Sequence, residues 1–330
     1  MKESTKSYLY FIIVTLVSTL AARPIVMLLR PTGMNIGLIN SVYHFSVFIP
    51  CALVFLLVTK KPIKKTLRFN KTPIENILLA VLLGLVCYPV MMLLSLITQL
   101  FVPNDVANFV QAMNPLSFGA MFFAIAVTPC ITEEITMRGI ILSGFDNKNK
   151  YIAAAVNGFL FGIFHFDLSQ FLYAFALGFL FAIMVRVTNS IFVTMVAHMT
   201  VNGIQVVLAK TLVPLAEKIS KTSNTAVSNA TVASQSWTVK LTAISVFGLI
   251  ALVALALLVL IVKQMERNTI KAQGVQDTYA IMKFKGEIQK EENSTKIAII
   301  MIVIISVIYV LKVFLGLDLD IIYRFFHILT

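Results

Sequence analysis

The chain has 330 residues, 58% of them hydrophobic and 13% charged, with a mean hydropathy of +0.90. A water-soluble domain of this length must keep a polar exterior, and this composition leaves too little polar surface to make one, so the sequence asks for the bilayer as its solvent. The formal charge of +12 does not mark a nucleic-acid-binding protein, because the basic residues sit in short stretches between apolar runs instead of forming one stripe.

Lys2 and Lys6 precede the apolar run Tyr8 to Leu20, and Ala21 and Ala22 follow, a pattern that imitates a signal peptide. Apolar character resumes to Leu29, so the sequence predicts an uncleaved first span, interrupted at Arg23 and Pro24. A helix needs about 20 apolar residues to cross the hydrocarbon core. On that criterion the spans are Tyr8–Leu29, Ile36–Thr59, Ile74–Phe101, Phe118–Leu142, Tyr151–Phe166, Gln170–Val187, Ile191–Ala209, Val239–Val262 and Ile297–Leu315. The fifth and sixth are short and joined by a tight turn. The expected fold is all-α, a polytopic membrane helix bundle of about eight to nine transmembrane helices. No internal repeat and no soluble domain interrupts it. The chain divides into N-terminal helices (1–116), a core that carries the chemistry (117–209) and a C-terminal part (210–330).

Lys60, Lys61, Lys64, Lys65, Arg68 and Lys71 follow the second span, Lys148 and Lys150 the fourth, Arg186 ends the sixth, and Lys263, Arg267, Lys271, Lys283, Lys285 and Lys290 follow the eighth. These stretches share one side if the N-terminus is cytoplasmic, whereas Val102–Ser117, with no Lys or Arg, falls on the other. The expected localisation is therefore a cell membrane, multi-pass, with a cytoplasmic N-terminus. Lys210–Ser236 reads as an external loop, Gln264–Thr295 as a charged cytoplasmic one, and Asp318–Thr330 as an interfacial tail. Cys51, Cys87 and Cys130 each lie in an apolar run, without the number or spacing of a disulfide framework or a zinc knuckle.

Ionisable groups inside a span are costly unless paired or solvated, so each is a functional candidate. The fourth span contains Pro129, then Glu133, Glu134 and Arg138. Glu134 and Arg138, at i and i+4, share a face and can pair. Glu133 points about 100° away from Glu134 and is free to meet another partner. His165 ends the fifth span, and His198 and Asn202 lie one turn apart on the seventh. His and Asn together can hold an oxyanion. His44, alone on the second span, reads as a helix–helix hydrogen bond.

Glu-Glu-x-x-x-Arg at 133–138, Phe-x-x-x-His at 161–165 and His-x-x-x-Asn at 198–202 occur in that order, each on its own apolar helix. This set resembles the CPBP (Abi) family of intramembrane glutamic proteases, relatives of the type II CAAX prenyl endopeptidases, over about a quarter of the chain. The resemblance implies that Glu133 activates a water against a peptide carbonyl and His165 positions that water. It implies that His198 and Asn202 stabilise the oxyanion, while Glu134 and Arg138 hold the fourth helix in register. The ninth span and the loop before it look like additions to an eight-helix core.

No cofactor is expected. Zinc held by the same Glu and His residues is the rival reading, but the His-Glu-x-x-His pattern of zinc proteases is absent. There is no Gly-x-Ser-x-Gly elbow and no pair of intramembrane Asp residues either. The implied partners are the lipid bilayer and a membrane-associated peptide or protein substrate, not nucleic acid. In a bacterial source the resemblance implies peptide maturation or bacteriocin immunity. The alternative function is a non-proteolytic scaffold or regulator of another membrane protein, such as a sensor kinase. A transporter that uses Glu133 and Arg138 ranks behind both.

Overall fold

The computed structural model of the chain describes residues 2–102, 109–110, 112–212, 214–215, 236–277, 280–281 and 300, and every regular element among them is helical. α1 (Glu3–Leu29) begins ahead of the apolar run, because Glu3 sits in the first turn where the helix dipole favours a carboxylate, and it pairs with Lys6 and Lys61, both at 2.6 Å. α2 (Ile36–Thr59) starts at Asn35, whose side chain accepts the Gly37 N–H, and stops at Lys60 in the left-handed region, φ 54°. A short α3 (Ile63–Thr66) leads to α4 (Ile74–Thr98). α5 (Phe118–Ile141) is capped by Ser117. α6 (Lys150–Phe164) is capped by Asn149, α7 (Leu168–Thr188) by Asp167, and α8 (Ile191–Val207) follows after two residues. α9 (Trp237–Gln273) is capped by Ser236.

Among the described residues, seven helices are long and apolar enough to cross a membrane. The expected fifth span is not one of them: α6 has 15 residues, because Asn149 caps it at one end and the chain reverses at Phe166, φ 49°, at the other. The eighth span is longer than hydropathy predicts. Its helix continues through residues expected to be a loop, since Glu266 accepts from Lys150 at 2.8 Å and Thr269 from Asn76 at 2.9 Å. The expected ninth span and the tail lie outside the described residues except for residue 300, as do most of the loop after Lys210 and most of 278–295.

Large apolar side chains on the outside of the bundle are exposed, among them Leu57, Val58, Leu249, Leu252 and Val253, as lipid permits and water does not. Inside, helices approach closely at glycines. A Cβ on Gly158 of α6 would lie 2.7 Å from the Phe175 carbonyl of α7, and one on Gly84 of α4 would lie 2.7 Å from Thr200 of α8. One apolar core packs α1, α2, α5, α6 and α7, and a second packs α4, α7, α8 and α9. The polar residues of α5 and α8 lie between these two cores.

The four basic stretches meet at one end of the bundle. Arg68 pairs with Asp146 there, and Asn70 donates to the Asn189 carbonyl at 2.9 Å. Arg186 pairs with Asp277 and donates to the carbonyls of Phe145 and Lys148 at 3.2 and 3.0 Å. Loops predicted to share one side of the membrane thus share one end of the protein.

Candidate active site

Pro129 shapes the helix that carries the acidic residues. An ordinary residue at 129 would donate its N–H to the Ile125 carbonyl, and proline has none to give. The backbone is π-helical over Phe123–Val127, returns to α over Thr128–Glu134, and is π-helical again over Ile135–Ile141. Such wide turns inside α-helices recur at functional sites. Carbonyls along the stretch receive side-chain donors from other parts of the fold. Asn202 Nδ2 donates to Ile125 O at 3.0 Å, Asn157 Nδ2 to Met137 O at 2.8 Å, and Arg68 Nη1 to Arg138 O at 3.0 Å. The helix is therefore held in its irregular form by α8, α6 and the segment after α3.

Within that stretch the structure brings the acidic pair to His198. Glu134 and Arg138 are fully buried, with Oε1 and Nη1 3.0 Å apart. The contact is an ion pair without hydrogen-bond alignment, and the guanidinium lies over the Phe161 ring at 4.3 Å and near Phe181 at 5.3 Å. His198 Nδ1 meets the same Glu134 Oε1 at 2.9 Å, and its Nε2 faces Glu133 Oε2 at 3.9 Å. One imidazole thus spans the two adjacent carboxylates. Glu133 turns away from the ion pair and keeps slightly more exposure, 12% against 0% for Glu134.

The other predicted residues are arranged as follows. His165 caps α6, and its Nδ1 lies 2.8 Å from the Phe161 carbonyl, beneath a T-shaped contact with the Phe161 ring. The same ring lies 6.1 Å from His198, centroid to centroid, so Phe161 separates and aligns the two imidazoles. Asn202 is one turn beyond His198, with one amide hydrogen committed to Ile125. Its helix joins the site, and its second amide hydrogen remains for another acceptor.

Partner chemistry assigns two ring tautomers. A carbonyl only accepts, so His165 Nδ1 carries the hydrogen in its bond to Phe161 O. A carboxylate paired with a guanidinium also accepts, so His198 donates through Nδ1 to Glu134. In the neutral rings both Nε2 atoms hold lone pairs.

Sequence reasoning took His44 for a structural hydrogen bond, and the structure does contain one, from its Nδ1 to Thr132 Oγ1 at 2.9 Å. That bond places His44 beside Glu133, close enough to interact with the charges of Glu133, His165 and His198. Tyr43 and Tyr173 also interact with Glu133. Chain spacing gives no warning of these neighbours. The available signal was that His44 is one of only four histidines in the chain.

Among the described residues, no group of three or more His, Cys, Asp or Glu side chains is arranged to hold a metal ion. The Nδ1 atoms of His44, His165 and His198 are all engaged by protein groups.

Residues 115–204, the stretch that supplies Glu133, Glu134, Arg138, His165, His198 and Asn202, match the family model "Type II CAAX prenyl endopeptidase Rce1-like". The chain is also 27% identical over 192 residues to the "Putative membrane peptidase YdiL" of Bacillus subtilis (strain 168), a match that covers 54% of this chain and 76% of the relative. No solved structure matches it.

Proposed function

From the premise that this multi-pass membrane protein belongs with the CAAX-protease (CPBP) family, we propose that it is an intramembrane endopeptidase of the glutamic type, acting on membrane-associated peptides or protein tails. Glu133 is the general base. It takes one proton from a water that His165 holds through Nε2, and the hydroxide attacks the substrate carbonyl. The oxyanion is met by His198, donating from Nε2 as an imidazolium whose charge the Glu134 carboxylate balances at Nδ1, and by the second amide hydrogen of Asn202. Glu133 then returns its proton to the amide nitrogen as the C–N bond breaks. Glu134 and Arg138 act through His198, fixing its ring.

The observation that carries this reading is the placement of His198, 2.9 Å from Glu134 through one nitrogen and 3.9 Å from Glu133 through the other. It is an oriented imidazole that spans two adjacent carboxylates, one of them tied to Arg138 and the other not paired with any Lys or Arg among the described residues. A shallow outward-facing groove of about 530 Å³ lies between α2 and α5, lined by Met34, Leu38, Val42, Phe45 and Phe123 among others and by none of the site residues. In this reading the basic end of the bundle is cytoplasmic, and so is the N-terminus.

The test is cleavage of an acylated, internally quenched peptide library by the full chain in vesicles made up in H₂¹⁸O. The expected result is one ¹⁸O in the new C-terminus and a fall of about 10²–10⁴-fold in rate for Glu133→Gln. Equal rates for the variant and the wild type would remove the assigned base.

A further inference from the structure

We propose that His44 is a further proton-handling residue of this site, an imidazole brought in by α2 whose Nε2 takes the second proton that hydrolysis releases from water. The inference rests on the peptidase reading above and extends the machinery to a helix outside the matched segment.

The tautomer of His44 follows from its partner. Thr132 has one hydroxyl hydrogen and donates it back along the helix to the Thr128 carbonyl, at 2.9 Å. Its oxygen is left to accept, so the 2.9 Å contact with His44 is a bond donated by Nδ1. The neutral ring then keeps its lone pair at Nε2, and among the described residues that nitrogen has no protein hydrogen-bond partner. His44, His165 and His198 thus share one arrangement, with Nδ1–H tied to a fixed acceptor; Nε2 is left as a base in His44 and His165, while in the proposed mechanism His198 carries a second hydrogen there.

Position supplies the second part of the argument. Thr132 immediately precedes Glu133, so the bond that orients His44 anchors it next to the proposed base. The titratable groups whose charges reach His44 are Glu133 of α5, His165 at the end of α6 and His198 of α8, while Tyr43 of its own helix lies edge-on at 5.6 Å. Phe48 lies 5.0 Å from the ring and is itself packed on Phe164. No carboxylate makes an ion pair with His44 among the described residues, as a purely structural charged histidine would require.

Hydrolysis has two protons to place. The first moves from water to Glu133 and from Glu133 to the amide nitrogen as the C–N bond breaks. The second stays on the hydroxyl of the tetrahedral intermediate and then on the new carboxylic acid. By then the intermediate has collapsed, and the freed Glu133 carboxylate and the Nε2 lone pair of His44 are both available as bases. His44 Nε2 accepts the second proton, leaving a carboxylate, and passes it to the freed amine to form an ammonium. The enzyme ends as it began and no co-reactant is consumed.

Two substitutions separate this role from that of a clamp between helices. His44→Asn keeps an amide donor where Nδ1 was and has no second basic nitrogen. Thr132→Val removes the clamp and leaves the imidazole intact. Both are made in the full chain, reconstituted in vesicles and assayed on the cleaved library peptide, with Glu133→Gln as control and thermal unfolding of each variant recorded. His44→Asn should lose about 100-fold in kcat with KM unchanged, while Thr132→Val falls at least tenfold less. His44→Gly should regain activity when imidazole is added, which keeps the test decisive if His44→Asn does not fold. A folded His44→Asn within threefold of wild type, or a His44→Gly that imidazole does not rescue, overturns the proposal alone. A Glu133→Gln variant as active as wild type overturns the peptidase reading, and the proposal falls with it.

Discussion

Removing Glu134 tests whether the buried ion pair orients the imidazole. Glu134 and Arg138 have no solvent exposure, and their closest charged atoms are 3.0 Å apart. With Glu134→Leu the guanidinium remains, buried, with the Phe161 and Phe181 rings and the more distant Glu133 charge to compensate. Those rings return about 1–2 kcal/mol, whereas stranding one member of a buried pair costs about 3–5 kcal/mol. Arg138→Met should cost the lower part of that range, because Glu134 keeps the His198 Nδ1–H. The double variant removes both charges and strands only that N–H, at about 1–3 kcal/mol. It should therefore be more stable than Glu134→Leu alone, which is strong non-additivity between two neighbours. Equilibrium unfolding in bicelles measures the three values. All three variants should lose cleavage, because each loosens the ring that faces Glu133. Additive stabilities, or full activity in the double variant, would refute the reasoning.

Two further outcomes follow from packing. Gly158→Ala places a methyl 2.7 Å from the Phe175 carbonyl and 2.8 Å from the Phe179 nitrogen, both backbone atoms that cannot step aside. It should cost about 1–3 kcal/mol, read as a lower unfolding midpoint. Arg186→Met breaks a buried pair with Asp277 and frees the carbonyls of Phe145 and Lys148. It should cost about 3–5 kcal/mol and speed proteolytic cutting after Gln273, measured by limited digestion of vesicles whose basic end is outward.

Hydropathy located every helix long enough to cross a membrane among the described residues, because a span must satisfy its own backbone and shows as a continuous run. The same property hid the ends. α9 continues past its apolar part to Gln273 because Asn76 and Lys150, far away in sequence, supply polar partners for it. α6 is shorter than its apolar run suggests, a matter of where its cap and reversal fall. Of the candidate site, the i, i+4 pairing of Glu134 with Arg138 was legible as a spacing, and the structure contains it. The His198 link to Glu134 joins residues 64 positions apart and has no local pattern to betray it. The same holds for His44 with Thr132, 88 positions apart. Which side chains steady the irregular α5 depends on tertiary neighbours alone.

The bond from Asn202 to the Ile125 carbonyl ties two positions of the chain into a single unit of change. Replacing Pro129 with a residue that has an amide hydrogen gives the Ile125 carbonyl a second donor from its own helix beside Asn202, and its two lone pairs can take both. Replacing Asn202 alone leaves the carbonyl beside the proline short of a donor. Asn202 does for the Ile125 carbonyl what a backbone amide at 129 would do, so its loss costs more while proline stands there than it would in an uninterrupted α5.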